Sequence, residues 1–133
     1  MAVNVRNMPD DELFFGHKAC AGCGGSLAVR AALKVLGPHA VSALPAGCMS
    51  AVGFNFPQLS FSNNAMITPF AATASVLSGI EAGLRAQGIK PDDCTVVGFA
   101  GDGGTADIGI QALSGAIDRN DDVLYICYDN EAY

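Results

Sequence analysis

Two continuous apolar runs, Thr95-Val-Val-Gly-Phe-Ala100 and Val123-Leu-Tyr-Ile-Cys-Tyr128, flank a glycine-rich loop and a helix-period segment from about Asp107 to Arg119. Strand, loop, helix, strand is a βαβ unit, whose right-handed crossover makes the two strands parallel and puts a helix over the sheet. A parallel sheet must be covered on both sides. The expected fold class is therefore α/β, a parallel sheet with helices on both faces. Ligand loops of such sheets lie beyond the carboxyl ends of the strands. Gly101-Asp-Gly-Gly104 and Asp129–Tyr133 both occupy that position, on one rim.

The remainder of the chain supplies more of the same layers. Residues 1–15 read as a polar lead-in and Gly16 to Gly25 as a Gly/Cys-rich loop. Ser26 to Leu36 has helical periodicity and is stopped by Gly37-Pro38. Ala40 to Leu44 reads as a short strand leading into Pro45-Ala-Gly-Cys48, and residues 53–67 as irregular. Thr68 followed by Pro69 predicts a helix start, with the helix running to about Gln87 before Gly88. A buried strand and its loop rarely end a domain. Residues 1–133 are thus expected to be the N-terminal portion of one domain that continues beyond Tyr133.

Composition removes several classes of function. The net charge is −6 with no basic run, which argues against nucleic acid as a partner. The uncharged stretch from Ile67 to Ile80 is too short and too rich in small polar residues to span a membrane. Arg6, Asp10, Asp11 and Glu12 stand where a signal peptide would carry a basic patch and an apolar run. Five Cys without such a leader indicate a reduced, cytoplasmic setting and metal chemistry in place of disulfides.

On the rim, Gly101, Gly103 and Gly104 let backbone amides approach a ligand, and the following helix adds its positive end. This favours a phosphate or diphosphate. A carboxylate in such a loop repels phosphate unless a cation lies between them, so Asp102 reads as a Mg²⁺ ligand. Asn130 supplies a neutral oxygen and a main-chain carbonyl follows soon after.

Gly101-Asp-Gly103 followed after 26 residues by Asn130 resembles the thiamine-diphosphate signature. Gly101-Asp-Gly-Gly-Thr-Ala-Asp-Ile-Gly109 and Tyr125-Ile-Cys-Tyr-Asp-Asn-Glu-Ala-Tyr133 are similar to the β subunits of pyruvate:ferredoxin oxidoreductases and their relatives. The resemblance covers nearly the whole second half of the chain. It implies the thiamine-diphosphate-binding fold of the pyrophosphate type. It also implies that Asp102 and Asn130 bind Mg²⁺ by side chain and Ala132 by its carbonyl, while Gly103, Gly104 and Thr105 line the diphosphate beside Gly101. Asp107 reads as a cap or an arginine partner.

Cys20-Ala-Gly-Cys23 and the later Cys48 form a second constellation. An isolated Cys-x-x-Cys leaves zinc, a redox dithiol and an iron–sulfur site all open. Cys-Ala-Gly-Cys-Gly-Gly and Leu-Pro-Ala-Gly-Cys48 resemble the segments that, in the same family, carry three ligands of the 4Fe–4S cluster next to thiamine diphosphate. Cys48 then stands at the cofactor as well as at the cluster. The fourth thiolate is expected beyond Tyr133, since such clusters take four; zinc is the alternative. Cys94 and Cys127 read as buried small hydrophobes. His17 reads as a loop residue, His39 as exposed, and Asn63 and Asn64 as turn residues or cofactor neighbours.

The resemblance implies an oxidoreductase of anaerobic metabolism. It would decarboxylate a 2-oxoacid on thiamine diphosphate and send the electrons through the cluster to ferredoxin, with coenzyme A as acyl acceptor in most members. No residue here corresponds to the Glu that activates thiamine, so that catalytic group is expected on a pyrimidine-domain subunit, alongside a ferredoxin-like subunit. The segment Phe54-Asn-Phe-Pro-Gln-Leu-Ser-Phe61 departs from ordinary pyruvate enzymes, so another 2-oxoacid, or oxalate without coenzyme A, stands beside pyruvate. Two other readings are a non-redox thiamine decarboxylase or synthase and a small metal-binding electron-transfer module. Cys20, Cys23 and Cys48 speak against the first, and Asn130 against the second.

Overall fold

A computed structural model describes residues 6–10 and 12–132. Asp11 and Tyr133 of the sequence reading lie outside the described residues. Four parallel strands, β1 (Val41–Pro45), β4 (Asn64–Thr68), β5 (Val96–Gly101) and β6 (Leu124–Tyr128), pair in the order β4-β1-β5-β6. A short antiparallel hairpin, β2 (Phe54–Asn55) and β3 (Gln58–Leu59), stands apart from the sheet. The helices are α1 (Gly24–Leu36), α2 (Cys48–Gly53), α3 (Thr73–Ala86) and α4 (Ile110–Asp118).

Alternation along β5 divides the core in two. Val97 and Phe99 face one side, where Val29 and Leu33 of α1, Met49 of α2, Phe14 and Phe61 complete a cluster. Val96 faces the other, against Leu77, Ile80 and Leu84 of α3. Helices thus cover both faces, as the βαβ pattern requires. Gly98 brings α3 unusually near the sheet: a Cβ there would meet Leu77 Cδ1 at 2.7 Å. Ser78 and Arg119 both bond Asp121 Oδ2, at 2.5 and 2.9 Å, tying α3 to the turn before β6.

Several elements differ from the sequence reading. The lead-in is not simply polar: Phe14 is fully buried, bridges to Phe61, and is anchored by the Phe15 N–H to Ser60 carbonyl bond of 3.0 Å. Glu12 pairs with both Arg30 (2.9 Å) and Lys34 (3.0 Å) of α1, which together hold its carboxyl below the usual carboxylate range. The stretch expected to be irregular contains β4, a full partner of β1. Its neighbour Asn63 is buried and donates to Ala40 O (2.9 Å) and Ser42 Oγ (2.7 Å), at the end of β1 remote from the rim. Asn63 therefore joins strands and does not reach the rim.

Thr68 ends β4 and does not cap α3. Its hydroxyl bonds Leu44 O (3.3 Å) and Thr73 Oγ1 (2.9 Å), and the helix begins at Thr73. The Pro45–Cys48 loop continues directly into α2. Among the described residues β6 is an edge strand, and Cys127 on it is exposed, not buried; Cys94 is half-buried, with its thiol donating to His39 O at 3.0 Å.

Candidate cofactor and metal site

The carboxyl ends of β1, β5 and β6 converge with the start of α1 on one rim. At β5 the chain leaves the sheet at Gly101 and winds through a π-type turn, Gly103–Asp107, before α4. Single π turns inside helices are frequent at functional sites. Gly103 and Gly104 are buried, and the Thr105 hydroxyl donates to Gly101 O at 2.6 Å, closing the turn on the strand that launches it. The first amides of such a turn have no carbonyl behind them to bond. Those of Gly103 and Gly104 are therefore available to an anion. A methyl group at Gly104 would lie 3.0 Å from Phe70, and one at Gly109 would run into the Gly104 carbonyl, so the path admits little but glycine.

Asp102 and Asn130 meet across this rim. The Asn130 N–H points at Asp102 Oδ1 from 3.5 Å. One terminal atom of the Asn130 amide lies 3.0 Å from Asp102 Oδ1 and 3.3 Å from Ala132 O. As a nitrogen that atom would donate to both. As an oxygen it would complete a set of three oxygens with no proton among them. Which atom it is depends on what fills the site, because amide orientation is settled by the surrounding bonds. Neighbouring oxygens of a Mg²⁺ octahedron with bonds of about 2.1 Å sit about 3.0 Å apart, so the spacing and donor chemistry fit that ion. Asp107 lies at the far end of the π turn, away from this set.

The thiols stand beside the oxygens. Cys20, Cys23 and Cys48 all line a cavity of about 470 Å³ whose wall also includes Met49, Tyr128 and Asn130. With the amide oxygen turned to that set, Asn130 Nδ2 lies 3.8 Å from Cys48 Sγ. Cys23 is the residue from which α1 departs. Its backbone bond from Ser26 outweighs burial and, with the Ser26 hydroxyl and the Gly25 N–H, lowers the thiol pKa below the ordinary cysteine value. Cys48 opens α2 from a turn clamped by Ser50, whose hydroxyl accepts from Gly47 N–H and donates to Gly47 O, both at 2.9 Å. Among the described residues no three His, Cys, Asp or Glu side chains gather tightly enough for a single metal ion. The three thiols line a shared space and do not converge on a point. His17 stacks on Phe14 and its Nδ1 accepts the Ala19 N–H at 3.3 Å, shaping the loop before Cys20.

One residue to which the sequence reading gave no site role sits at the junction. Tyr128 is buried at the end of β6, and the Met49 N–H of α2 points at its hydroxyl oxygen from 3.5 Å. Burial pushes that hydroxyl above its ordinary pKa, Met49 opposes the shift, and the Cys48 and Cys127 thiols add to it. In sequence Tyr128 is only the last residue of an apolar strand; nothing local marks it as lining a site.

Comparison with known proteins bears on this rim directly. Residues 45–133 match the family described as thiamine pyrophosphate enzyme, C-terminal TPP binding domain. Among curated proteins the chain is 52% identical over 130 residues to ketoisovalerate oxidoreductase subunit VorB of Pyrococcus horikoshii, covering 95% of this chain and 42% of the relative. It is 48% identical over 127 residues to pyruvate synthase subunit PorB of Methanothermobacter thermautotrophicus, covering 95% and 43%. With PorB of Methanocaldococcus jannaschii the figures are 42% over 135 residues, 97% and 45%. The chain thus spans less than half the length of these relatives. No helix among the described residues is long and apolar enough to cross a membrane. With the match running from the last residue of β1 through β6, and so over the glycine turn, Asp102 and Asn130, the chain belongs to the thiamine pyrophosphate enzymes that share this C-terminal TPP-binding domain.

Proposed function

We propose that this chain is the thiamine-diphosphate- and cluster-carrying part of a 2-oxoacid:ferredoxin oxidoreductase. The observation that carries the reading is Asn130. With its amide oxygen turned to the Asp102 and Ala132 oxygens, its Nδ2 lies 3.8 Å from the Cys48 sulfur. An oxygen set suited to Mg²⁺ and a three-thiol cavity therefore share a wall.

The chain's own residues do the binding. Asp102, Asn130 and the Ala132 carbonyl would hold Mg²⁺, and Gly103, Gly104 and Thr105 would line the diphosphate, the first two through their amides. Cys20, Cys23 and Cys48 would hold three corners of a 4Fe–4S cluster, with the fourth thiolate supplied from outside this chain. Thiamine diphosphate, when bound, supplies the electron sink for loss of CO₂ from a 2-oxoacid. The rim's part is to fix the diphosphate end and to keep the thiols within short electron-transfer reach of it. The Glu that activates the cofactor is assigned to a pyrimidine-domain partner, and a ferredoxin-like subunit and ferredoxin to the electron path. The substrate class is a 2-oxoacid such as pyruvate or 2-oxoisovalerate, which the names of the relatives support. Coenzyme A is the acyl acceptor in this reading.

The test is an anaerobic analysis of the native complex isolated through this chain. Iron and sulfide of about four or more per chain, one thiamine diphosphate, and a visible spectrum bleached by pyruvate or 2-oxoisovalerate are expected. Zinc without sulfide, or thiamine without iron, would overturn the redox assignment. Bleaching by oxalate alone would move the substrate.

A further inference from the structure

Three segments from distant parts of the chain, the end of β5, the turn before α2 and the start of α1, close on the ring of Tyr128. In the β5–β6 register Gly101 is its direct partner, and a Cβ on Gly101 would lie 3.4 Å from Tyr128 Cε2. A Cβ on Gly47, just before Cys48, would lie 3.4 Å from the Tyr128 hydroxyl. One on Gly25, two residues after Cys23, would lie 3.7 Å from Cδ2. Each segment therefore faces the ring through a residue with no side chain, although Met49 Cε lies nearer to Gly25 than the ring does.

The hydroxyl is oriented as well as placed. Its oxygen faces the Met49 N–H, and among the described residues no acceptor is paired with its proton. A buried phenol normally donates to a partner. Tyr128 lines the cavity shared by Cys20, Cys23 and Cys48.

We infer that Tyr128 is a positioning residue: its ring spaces the two cysteine loops from the diphosphate loop, and its hydroxyl donates to the sulfur held at Cys48. This rests on the cluster assignment above. Hydrogen bonds to cluster sulfurs stabilise the reduced, more negative form and so raise the reduction potential.

The experiment compares Tyr128→Phe and Tyr128→Leu with the wild type in the native anaerobic complex. Iron, sulfide and thiamine content are measured with the midpoint potential of each cluster, followed by electron paramagnetic resonance. Tyr128→Phe keeps the spacer and removes only the donor. Full iron and thiamine, with one cluster shifted to a more negative potential, is the expected result. Tyr128→Leu removes the spacer, and loss of iron from that one cluster is expected. Full iron in the leucine variant would overturn the spacing role, and an unchanged set of potentials in the phenylalanine variant would overturn the donor role. Absence of iron and sulfide from the wild type would overturn the underlying cluster assignment, an outcome distinguished by appearing before any substitution is made.

Discussion

Replacing Gly98 tests how closely α3 is pressed onto the sheet. A methyl group at that position would sit 2.7 Å from Leu77 Cδ1, 3.3 Å from Thr73 Cγ2 and 3.4 Å from Tyr125 Cδ2. Leu77 is fully buried, so its methyl has little free space to retreat into. Overpacking of this kind costs about 1–3 kcal/mol, so Gly98→Ala should destabilise the α3–β5 contact by that amount. Leu77→Ala alone removes buried methyls and should cost about 2–5 kcal/mol. The two effects oppose each other in space, because the alanine methyl at 98 enters the volume that Leu77 leaves. The double variant should therefore be more stable than the sum by roughly 1 kcal/mol or more, against a scatter of about 0.5 kcal/mol for independent sites. Hydrogen–deuterium exchange on the native complex reads this directly. Peptides of α3 and β5 should exchange roughly 5- to 150-fold faster in Gly98→Ala, the factor equivalent to about 1–3 kcal/mol. Unchanged exchange in Gly98→Ala, or strict additivity in the double variant, would refute the close-packing argument.

Further outcomes follow from the rim and the lead-in. Asp102→Ala removes the one charged oxygen of the proposed cation set, so thiamine content should fall and no longer respond to added Mg²⁺, while iron content holds. Cys48→Ser should do the reverse, lowering iron and sulfide while thiamine is retained; both are read by the same elemental and cofactor analysis. The Glu12 carboxyl is held below its usual range by Arg30 and then Lys34, so its contribution is present above the unfolded carboxylate pKa and lost as pH falls through the lowered folded value. Exchange of the peptide around residues 12–18 should accelerate on acidification across that window, and Glu12→Gln should remove that part of the pH dependence.

The sheet's centre was legible because β5 and its loop obey two rules together. A continuous apolar run marks a strand covered on both faces, and Gly-Asp-Gly-Gly cannot continue it. The flank was less so. β4 reads Asn-Ala-Met-Ile-Thr, too short to show a period, and as an edge strand it leaves Met66 and Ile67 exposed. α2 is a six-residue helix with glycine at both ends and no capping side chain of the usual kind. In the lead-in, neighbouring charges masked Leu13 and Phe14, whose burial depends on Phe61 far along the chain. Within the site, Cys20, Cys23, Cys48, Asp102 and Asn130 stood out because their chemistry is unusual in a loop. Tyr128 did not, because an aromatic residue ending a strand is ordinary until the three glycines around it are seen in space.

The rim has a consequence for the protein's biogenesis. Its parts come from residues near 20, 48, 102 and 130, and β6, which leads into the last of them, pairs among the described residues with β5 alone. Contacts of such sequence separation form late, because long loops must close first. During synthesis the Cys20–Cys23 turn, proposed above to carry two cluster thiols, emerges early. The cation cage cannot exist until Asn130 has left the ribosome and β6 has docked. On the proposed assignment, the cation site therefore forms after the first two cluster thiols are available, and the cluster is complete only once its fourth thiolate, supplied from outside this chain, is in place.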